Sequence, residues 1–174
     1  MAQLPKIFRA NQGFAVVEFA LLAPVLVLLI GGVVEYGRIF SVYKAVNRLA
    51  TQYASAWADC YDSPTGACLT EISLYTSTYT IQNFAPQLTA ANVVVSMFQV
   101  SMSGTTPTVV YAYPTGSSLT TAQKTALQTT LSSGQSGVIV TVSYTHTLLF
   151  FSKAMSSLLG GYLTPGFTAV QLKS

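Results

Sequence analysis

Residues 12–38 read QGFAVVEFALLAPVLVLLIGGVVEYGR, and their apolar run from Phe14 to Val34 is interrupted by only one charge, Glu18, and one proline, Pro24. An α-helix over these 21 residues is roughly 30 Å long, about the thickness of the hydrocarbon core of a bilayer. An ionised carboxylate deep in lipid is costly, so Glu18 must lie near one face of the membrane or be neutralised inside it. Because Pro24 lacks a backbone N–H, it predicts a bend in the helix. We therefore expect one transmembrane helix over residues 14–36.

A cleaved secretory signal peptide is the alternative interpretation of this segment. The apolar part of such a peptide usually has about 7–15 residues, and a small-x-small cleavage site follows soon after it. Here Glu35-Tyr36-Gly37-Arg38 follows instead, and the nearest small-residue site, Ala54-Ser55-Ala56, lies far downstream. The sequence favours a membrane anchor.

The composition of the whole chain also favours attachment to a membrane. Of its 174 residues, 51% are hydrophobic and only 7% are charged, and the mean hydropathy is +0.49. Soluble domains carry roughly 25% charged residues, so a cytosolic enzyme is not expected, and neither is a disordered chain. The eight Lys and Arg residues are spread thinly, without the dense basic patch that nucleic acid requires. We expect no nucleic-acid partner.

The orientation of the span does not follow from charge alone. Lys6 and Arg9 precede it and favour a cytoplasmic N-terminus, but Arg38, Lys44 and Arg48 follow it closely. Two cysteines and a remainder rich in Ser, Thr and Tyr favour an exported C-terminal body. We predict a cytoplasmic N-terminus and an exported, extracytoplasmic domain over residues 37–174.

The helix is predicted to continue outward beyond the membrane as one rod. No Pro or Gly occurs between Ile39 and Asp59. Apolar residues there recur at helical spacing and form one stripe, at Ile39, Val42, Val46, Leu49, Tyr53 and Ala56. The stripe could pack on a sheet of the same chain or on helices of neighbouring subunits, and packing within the chain is favoured.

The rest of the chain predicts a small antiparallel sheet with short accessory helices. Thr120 and Gln123 fit a capping box for a helix over residues 121–132. The Ser, Thr and Tyr content of Thr70–Phe84 favours a strand, but its spacing also permits a helix ended by Pro86, which is the interpretation that we favour. The predicted strands are Val93–Met102, with Val94, Phe98, Val100 and Met102 on one face, its hairpin partner Thr108–Tyr113, Val138–Leu148, and the edge strand Phe167–Leu172. Within Val138–Leu148 one face is expected on the core and the other in water. The predicted fold class is α+β, a long N-terminal helix joined to a sheet of three or four strands.

The cysteines and the only histidine do not predict a catalytic or metal site. Cys60 and Cys68 bracket a segment with Pro64 and Gly66, so the two thiols can meet in a structural disulfide. A zinc site would need four ligands, and the spacing of these residues does not supply them. His146 is predicted to be a core-edge residue held by one hydrogen bond, because no carboxylate or nucleophile is visible as its partner. We expect no enzyme activity, cofactor, metal or small-molecule substrate.

The order of residues around Gly13 resembles the recognition sequence of prepilin peptidases. A basic, polar leader ends in Gly13, Phe14 opens the apolar run, and Glu18 and the aromatic Phe19 follow. The resemblance implies cleavage after Gly13, which would make Phe14 the new N-terminus and Glu18 the fifth mature residue. It also implies that residues 1–13 are a cytoplasmic leader and that Glu18 and Phe19 act in subunit assembly.

A narrower resemblance, to the TadE-like family of tight-adherence (Flp-type) pilus assembly, is carried by Val17–Pro24 and Val34–Arg38. The segment Val138–Tyr144, with the apolar residues that follow it, is also similar to that family. The resemblance implies a non-enzymatic minor pilin or pseudopilin that acts in pilus biogenesis, adhesion or secretion. The partners it implies are a prepilin peptidase, the major and other minor pilins, inner-membrane platform proteins and membrane lipid.

Two simpler interpretations stay open at this point. The chain could be a permanently tethered extracytoplasmic binding module that never enters a fibre. Glu18 could merely reach the headgroups and mark the edge of the span. Loss of residues 1–13 would favour the pilin-like interpretation over the tethered module.

Overall fold

One helix, α1 (Ile7–Asp59), has 53 residues and forms the N-terminal third of the chain. The computed structural model describes residues 7–61, 78–149 and 163–173. Because nothing between Ile39 and Asp59 breaks a helix, α1 continues without interruption from the exposed apolar segment into the folded domain, as predicted. At 1.5 Å per residue its length is about 80 Å.

The folded domain is built on a four-stranded antiparallel sheet, which confirms the predicted α+β class. The strand order is β2-β1-β3-β4, so β1 and β3 are central. The elements that follow α1 are α2 (Thr78–Phe84), a short 3₁₀ helix (Ala90–Asn92), β1 (Val93–Ser103), β2 (Thr106–Tyr113), α3 (Thr121–Thr130), β3 (Ser136–Tyr144) and β4 (Gly166–Leu172). Of the helix predicted within Thr70–Phe84, only α2 lies among the described residues.

The sheet packs against α1 through one of its faces. The predicted stripe of α1 is buried from Ile39 to Tyr53, and Trp57 extends it by one more turn. It meets the side chains of β1 and β3 that point to this face, namely Val95, Met97, Val138, Val140 and Val142. Packing within the chain, rather than on a neighbouring subunit, is therefore the arrangement of this stripe.

The opposite face of the sheet is covered as well, which corrects the expectation that β3 has one wet face. Ile139 is fully buried on that face, under Leu127 and Leu131 in and after α3. Phe98, Val100 and Met102 of β1 belong to the same cluster. Thr141 and Ser143 on this face are partly exposed, and Thr141 Oγ1 accepts a hydrogen bond from the Gln123 side chain of α3 at 2.9 Å.

Val94 lies on the same face of β1 as Phe98, as predicted, but its side chain is 64% exposed. The second cluster covers β1 only from Phe98 onward, so the first residues of this face stay open. The strand predicted over Val138–Leu148 ends at Tyr144.

The start of α3 is where the sequence predicts it. The Thr120 hydroxyl accepts a hydrogen bond from the Gln123 backbone N–H at 3.3 Å, and the Gln123 side-chain oxygen accepts one from the Thr120 N–H at 2.9 Å. This is the predicted capping box. The helix ends at Thr130, two residues before the predicted end.

Gly137 of β3 is a position where any side chain would collide with the sheet. A Cβ there would lie 2.7 Å from the backbone oxygen of Gln171 in β4 and 3.2 Å from a methyl group of Leu131. We expect Gly137→Ala to lower the free energy of unfolding by about 1–3 kcal/mol, because β4 or α3 must shift. The control is Gly166→Ala in β4, where the nearest atom is 3.8 Å away and the expected change is within about 0.5 kcal/mol. Unfolding of the full chain in detergent, followed by circular dichroism, measures both, and equal losses would contradict the collision.

Candidate functional site

The first half of α1 exposes nearly all of its apolar side chains. Every large hydrophobic residue from Phe14 to Val34 is between 44% and 75% exposed. The core helix of a soluble protein is mostly buried. In the most apolar 18-residue window of α1, by contrast, only 6% is buried. An exposed apolar surface of this extent marks a membrane or protein interface. By length and composition α1 can cross a membrane.

Glu18 and Phe19 lie on this exposed segment. The Phe19 side chain is 67% exposed, and Glu18 is exposed beside it. Within the described part of the chain Glu18 has no ion-pair partner. Its carboxylate is therefore available to another molecule.

The other predicted site residues are placed in part. Gly13 and Phe14 lie within α1, and Phe14 is 75% exposed. Pro24 lies inside the helix, and the bend there stays a prediction. Cys60 directly follows α1, whereas Cys68 lies outside the described residues, so the Cys60–Cys68 disulfide also stays a prediction.

A second acid, Glu35, lies where α1 leaves the exposed apolar segment, and it is buried. Its side chain is only 2% exposed. The Nε2 atom of His146, also buried, lies 3.1 Å from Oε1 of Glu35. The backbone N–H of Leu149 donates a hydrogen bond to Oε2 at 3.2 Å. Nη1 of Arg38, one turn further along α1, donates to Oε1 at 3.4 Å.

The Glu35 carboxylate therefore has three hydrogen-bond partners, which are His146, Arg38 and the backbone of Leu149. Nε2 of His146 and Oε1 of Glu35 are at hydrogen-bond distance, and a neutral imidazole with its hydrogen on Nε2 donates to an ionised carboxylate, which can only accept. Arg38 brings a positive charge close to it, although the Arg38 side chain is 38% exposed. Because His146 and Leu149 follow β3, the cluster fastens the base of the sheet domain to α1. It acts as a structural clamp at the boundary of the apolar segment.

Sequence reasoning missed this clamp. It predicted that His146 is held by one side-chain hydrogen bond at the edge of the core, which is confirmed, but the premise that no carboxylate pairs with it is wrong. Glu35 and His146 are 111 residues apart. The sequence did contain a clue to this contact. His146 is the only histidine of the chain and Glu35 is an acid at the end of an apolar run, and each of them needs a polar partner when it is buried.

The clamp offers two side chains, Glu35 and His146, as potential metal ligands. Across residues 7–61, 78–149 and 163–173 no three His, Cys, Asp or Glu side chains come together in a way that could hold a metal ion. The cluster is a buried hydrogen-bonded contact between Glu35 and His146, with the Arg38 cation beside it.

Comparison with known proteins identifies one segment of the chain. Residues 13–54 match the family model TadE, described as TadE-like protein. The match covers about a quarter of the chain and includes Glu18, Glu35 and Arg38. No curated protein and no solved structure matches the chain significantly. The resemblance noted in the sequence is thus confirmed over residues 13–54, which are similar to the TadE-like family.

Proposed function

We propose that this chain is a membrane-anchored, non-enzymatic minor pilin or pseudopilin of a Tad/Flp-type pilus, acting in pilus biogenesis, adhesion or secretion. The observation that carries the proposal is the exposed apolar segment of α1, which holds an exposed acid, Glu18, and lies within the TadE-like match. The apolar N-terminal half of α1 is exposed, and its C-terminal half is covered by the sheet of the same chain. This arrangement suits a subunit that is first held in lipid and then packs beside the helices of other subunits.

The proposed domain organisation follows from the same helix. Residues 1–13 are a cytoplasmic leader, residues 14–36 span the inner membrane, and residues 37–174 form the extracytoplasmic domain. The proposed partners are a prepilin peptidase, the major and other minor pilins, inner-membrane platform proteins and the surrounding lipid. Subunit-specific contacts come from the sheet domain.

In this proposal Glu18 is the residue that pairs subunits. Cleavage after Gly13 would expose the α-amine of Phe14, which is a cation at neutral pH. As subunits stack, the Glu18 carboxylate of one copy neutralises the amine of the next, and each charge offsets the desolvation of the other. Phe19, exposed beside Glu18, contributes apolar contact at the same level.

The mass of the membrane-extracted protein tests processing. When the chain is expressed with an active prepilin peptidase, we expect loss of residues 1–13 and a new N-terminus at Phe14. Gly13→Val should keep the full mass, because a branched Cβ hinders access to the scissile bond that glycine leaves open. Gln12→Ala is the matched control and should still be cleaved. An intact wild-type chain beside a control pilin that is cleaved would favour the permanently tethered binding module.

Incorporation into fibres tests the role of Glu18. We expect Glu18→Gln to reduce the amount of this chain in sheared, purified fibres by at least about tenfold, because it leaves the partner amine buried without a counter-charge. Glu18→Asp keeps the charge and should retain most of the incorporation. Membrane levels and cleavage of all three proteins are measured in parallel. Equal incorporation of Glu18→Gln and wild type would remove the charge pairing.

A further inference from the structure

The side of α1 that faces away from the sheet just beyond Glu35 exposes aromatic rings and a cation. Tyr36 is 72% exposed, Phe40 is 53% exposed and Tyr43 is 41% exposed. Lys44 is exposed as well, and its Nζ atom lies 4.5 Å from the centre of the Phe40 ring. Spacings of three, four and eight residues place these side chains on one side of the helix. We call Tyr36, Phe40, Tyr43 and Lys44 the collar.

Two acids of α1, Glu18 and Glu35, fix the depth of the collar. Glu18 and Glu35 bracket the exposed apolar segment and are 17 residues apart, about 25 Å along a helix. This is close to the thickness of the hydrocarbon core, so Glu35 marks its outer edge. The headgroup layer adds about 5–8 Å, or four to five helical residues, on each side. Tyr36 and Phe40 fall within that layer, and Lys44 leans back toward it because helical side chains tilt toward the N-terminus.

A second element presents an apolar side chain at the same depth. The Leu149 N–H donates to Oε2 of Glu35, so the backbone of Leu149 lies at the level of that carboxylate. The Leu149 side chain is nevertheless 66% exposed. The base of the sheet domain and the collar therefore face the same boundary from two different parts of the chain.

The charge of this surface complements an anion. The acid nearest to the collar, Glu35, is buried and already bonded to Arg38 and His146. From Tyr36 to Arg48 the helix carries three cations and no acid. Aromatic rings at headgroup level and lysine stems laid along apolar surface are typical of contact with a lipid interface. We propose that the collar and Leu149 dock in the outer headgroup layer and bind anionic phospholipid, which holds the sheet domain against the membrane before any assembly.

This inference rests on the proposed membrane anchor. The experiment distinguishes failure of the anchor from failure of the lipid contact by the collar. The full chain is reconstituted at low protein-to-lipid ratio in vesicles of phosphatidylcholine, or of phosphatidylcholine and phosphatidylglycerol in equal parts. Tyr36→Trp reports the depth of the collar through quenching by lipids brominated near the headgroup or deep in the acyl chain. Leu26→Trp reports the anchor itself, and Thr51→Trp reports an exposed position of the same helix further out. The native Trp57 is fully buried and supplies a constant background.

We expect the Tyr36→Trp indole to be quenched most by shallow bromines, that of Leu26→Trp by deep ones, and that of Thr51→Trp by neither. Quenching should be stronger with brominated phosphatidylglycerol than with brominated phosphatidylcholine. In the Tyr36→Trp protein, Lys44→Gln should lower the preference for phosphatidylglycerol by about fivefold, which is the effect of one lysine near an anionic surface. Added salt should weaken the same preference. Lys124→Gln, which removes an exposed lysine of α3, is the matched control and should leave it unchanged.

Four results would overturn the inference. If the Tyr36→Trp indole is as unquenched as that of Thr51→Trp while that of Leu26→Trp is quenched, the anchor holds and the collar stands clear of the lipid. If quenching shows no preference for phosphatidylglycerol, or if the collar is shielded only when copies associate at higher protein-to-lipid ratio, the partner is not an anionic lipid. An unquenched Leu26→Trp indole would remove the anchor together with this proposal.

Discussion

His146→Ala is expected to lower the free energy of unfolding of the full chain by about 3–5 kcal/mol, because it leaves the Glu35 carboxylate buried without its closest side-chain partner. The pair is 3.1 Å apart, and both side chains are at most 3% exposed. Removing one member of such a pair costs more than the pair contributes, since the remaining charge keeps its desolvation penalty.

The remaining contacts of Glu35 cannot replace the imidazole. Nη1 of Arg38 lies 3.4 Å from the same oxygen, but more than a third of the Arg38 side chain is in solvent, where screening weakens its attraction. The Leu149 N–H bonds to the other carboxylate oxygen. Oε1 therefore loses its shorter and better shielded hydrogen bond when His146 is truncated.

A double-mutant cycle measures this coupling directly. We expect His146→Ala to cost much less in a Glu35→Gln background, with a coupling free energy of about 1–3 kcal/mol, because the neutral amide leaves no buried charge behind. Denaturant unfolding of the detergent-solubilised chain, followed by Trp57 fluorescence, gives the four free energies. Lys124→Gln removes an exposed charge and should change stability by no more than about 0.5 kcal/mol. Additive effects of Glu35→Gln and His146→Ala would mean that the two residues do not act as a pair.

The elements that sequence reasoning predicted well are those specified by neighbouring residues. The length of α1 follows from helical spacing of apolar residues and from the absence of Pro and Gly between Ile39 and Asp59. The start of α3 follows from two residues, Thr120 and Gln123, that bond each other's backbone. Each of these signals is contained within a few turns of chain, so it can be interpreted without knowing what packs against it.

The features that it missed depend on contacts between distant residues. The alternation in β3 correctly places Val138 and Val140 on the face that α1 covers, but alternation cannot show that α3 lies over Ile139 on the other face. The exposure of Val94 likewise depends on how far the second cluster extends along β1, and that cluster begins only at Phe98. Glu35 and His146 each looked solitary because 111 residues separate them, and only the sheet topology brings them together.

Trp57→Ala is the second change for which we expect a large loss, about 3–5 kcal/mol of unfolding free energy, because it empties a large, fully buried site. Trp57 lies in the last turns of α1 and packs on the sheet, with its ring centre 5.7 Å from that of Tyr111 in β2. It fastens the C-terminal end of α1 to the sheet domain, whereas Glu35 fastens the middle of α1, where the exposed apolar segment ends.

Trp57→Phe is expected to cost much less than Trp57→Ala, for a reason specific to this site. The Nε1–H of Trp57 is buried and has no hydrogen-bond partner among residues 7–61, 78–149 and 163–173. A buried donor without a partner carries a desolvation penalty of about 1–3 kcal/mol, and Phe removes that penalty while it keeps most of the apolar contact. Unfolding in guanidinium chloride followed by far-ultraviolet circular dichroism compares the variants without relying on tryptophan. Ser55→Ala, an exposed change two residues earlier on α1, is the control. Equal losses for Trp57→Phe and Trp57→Ala would contradict this argument, because they would mean that Phe recovers neither the apolar contact nor the desolvation penalty of the indole N–H.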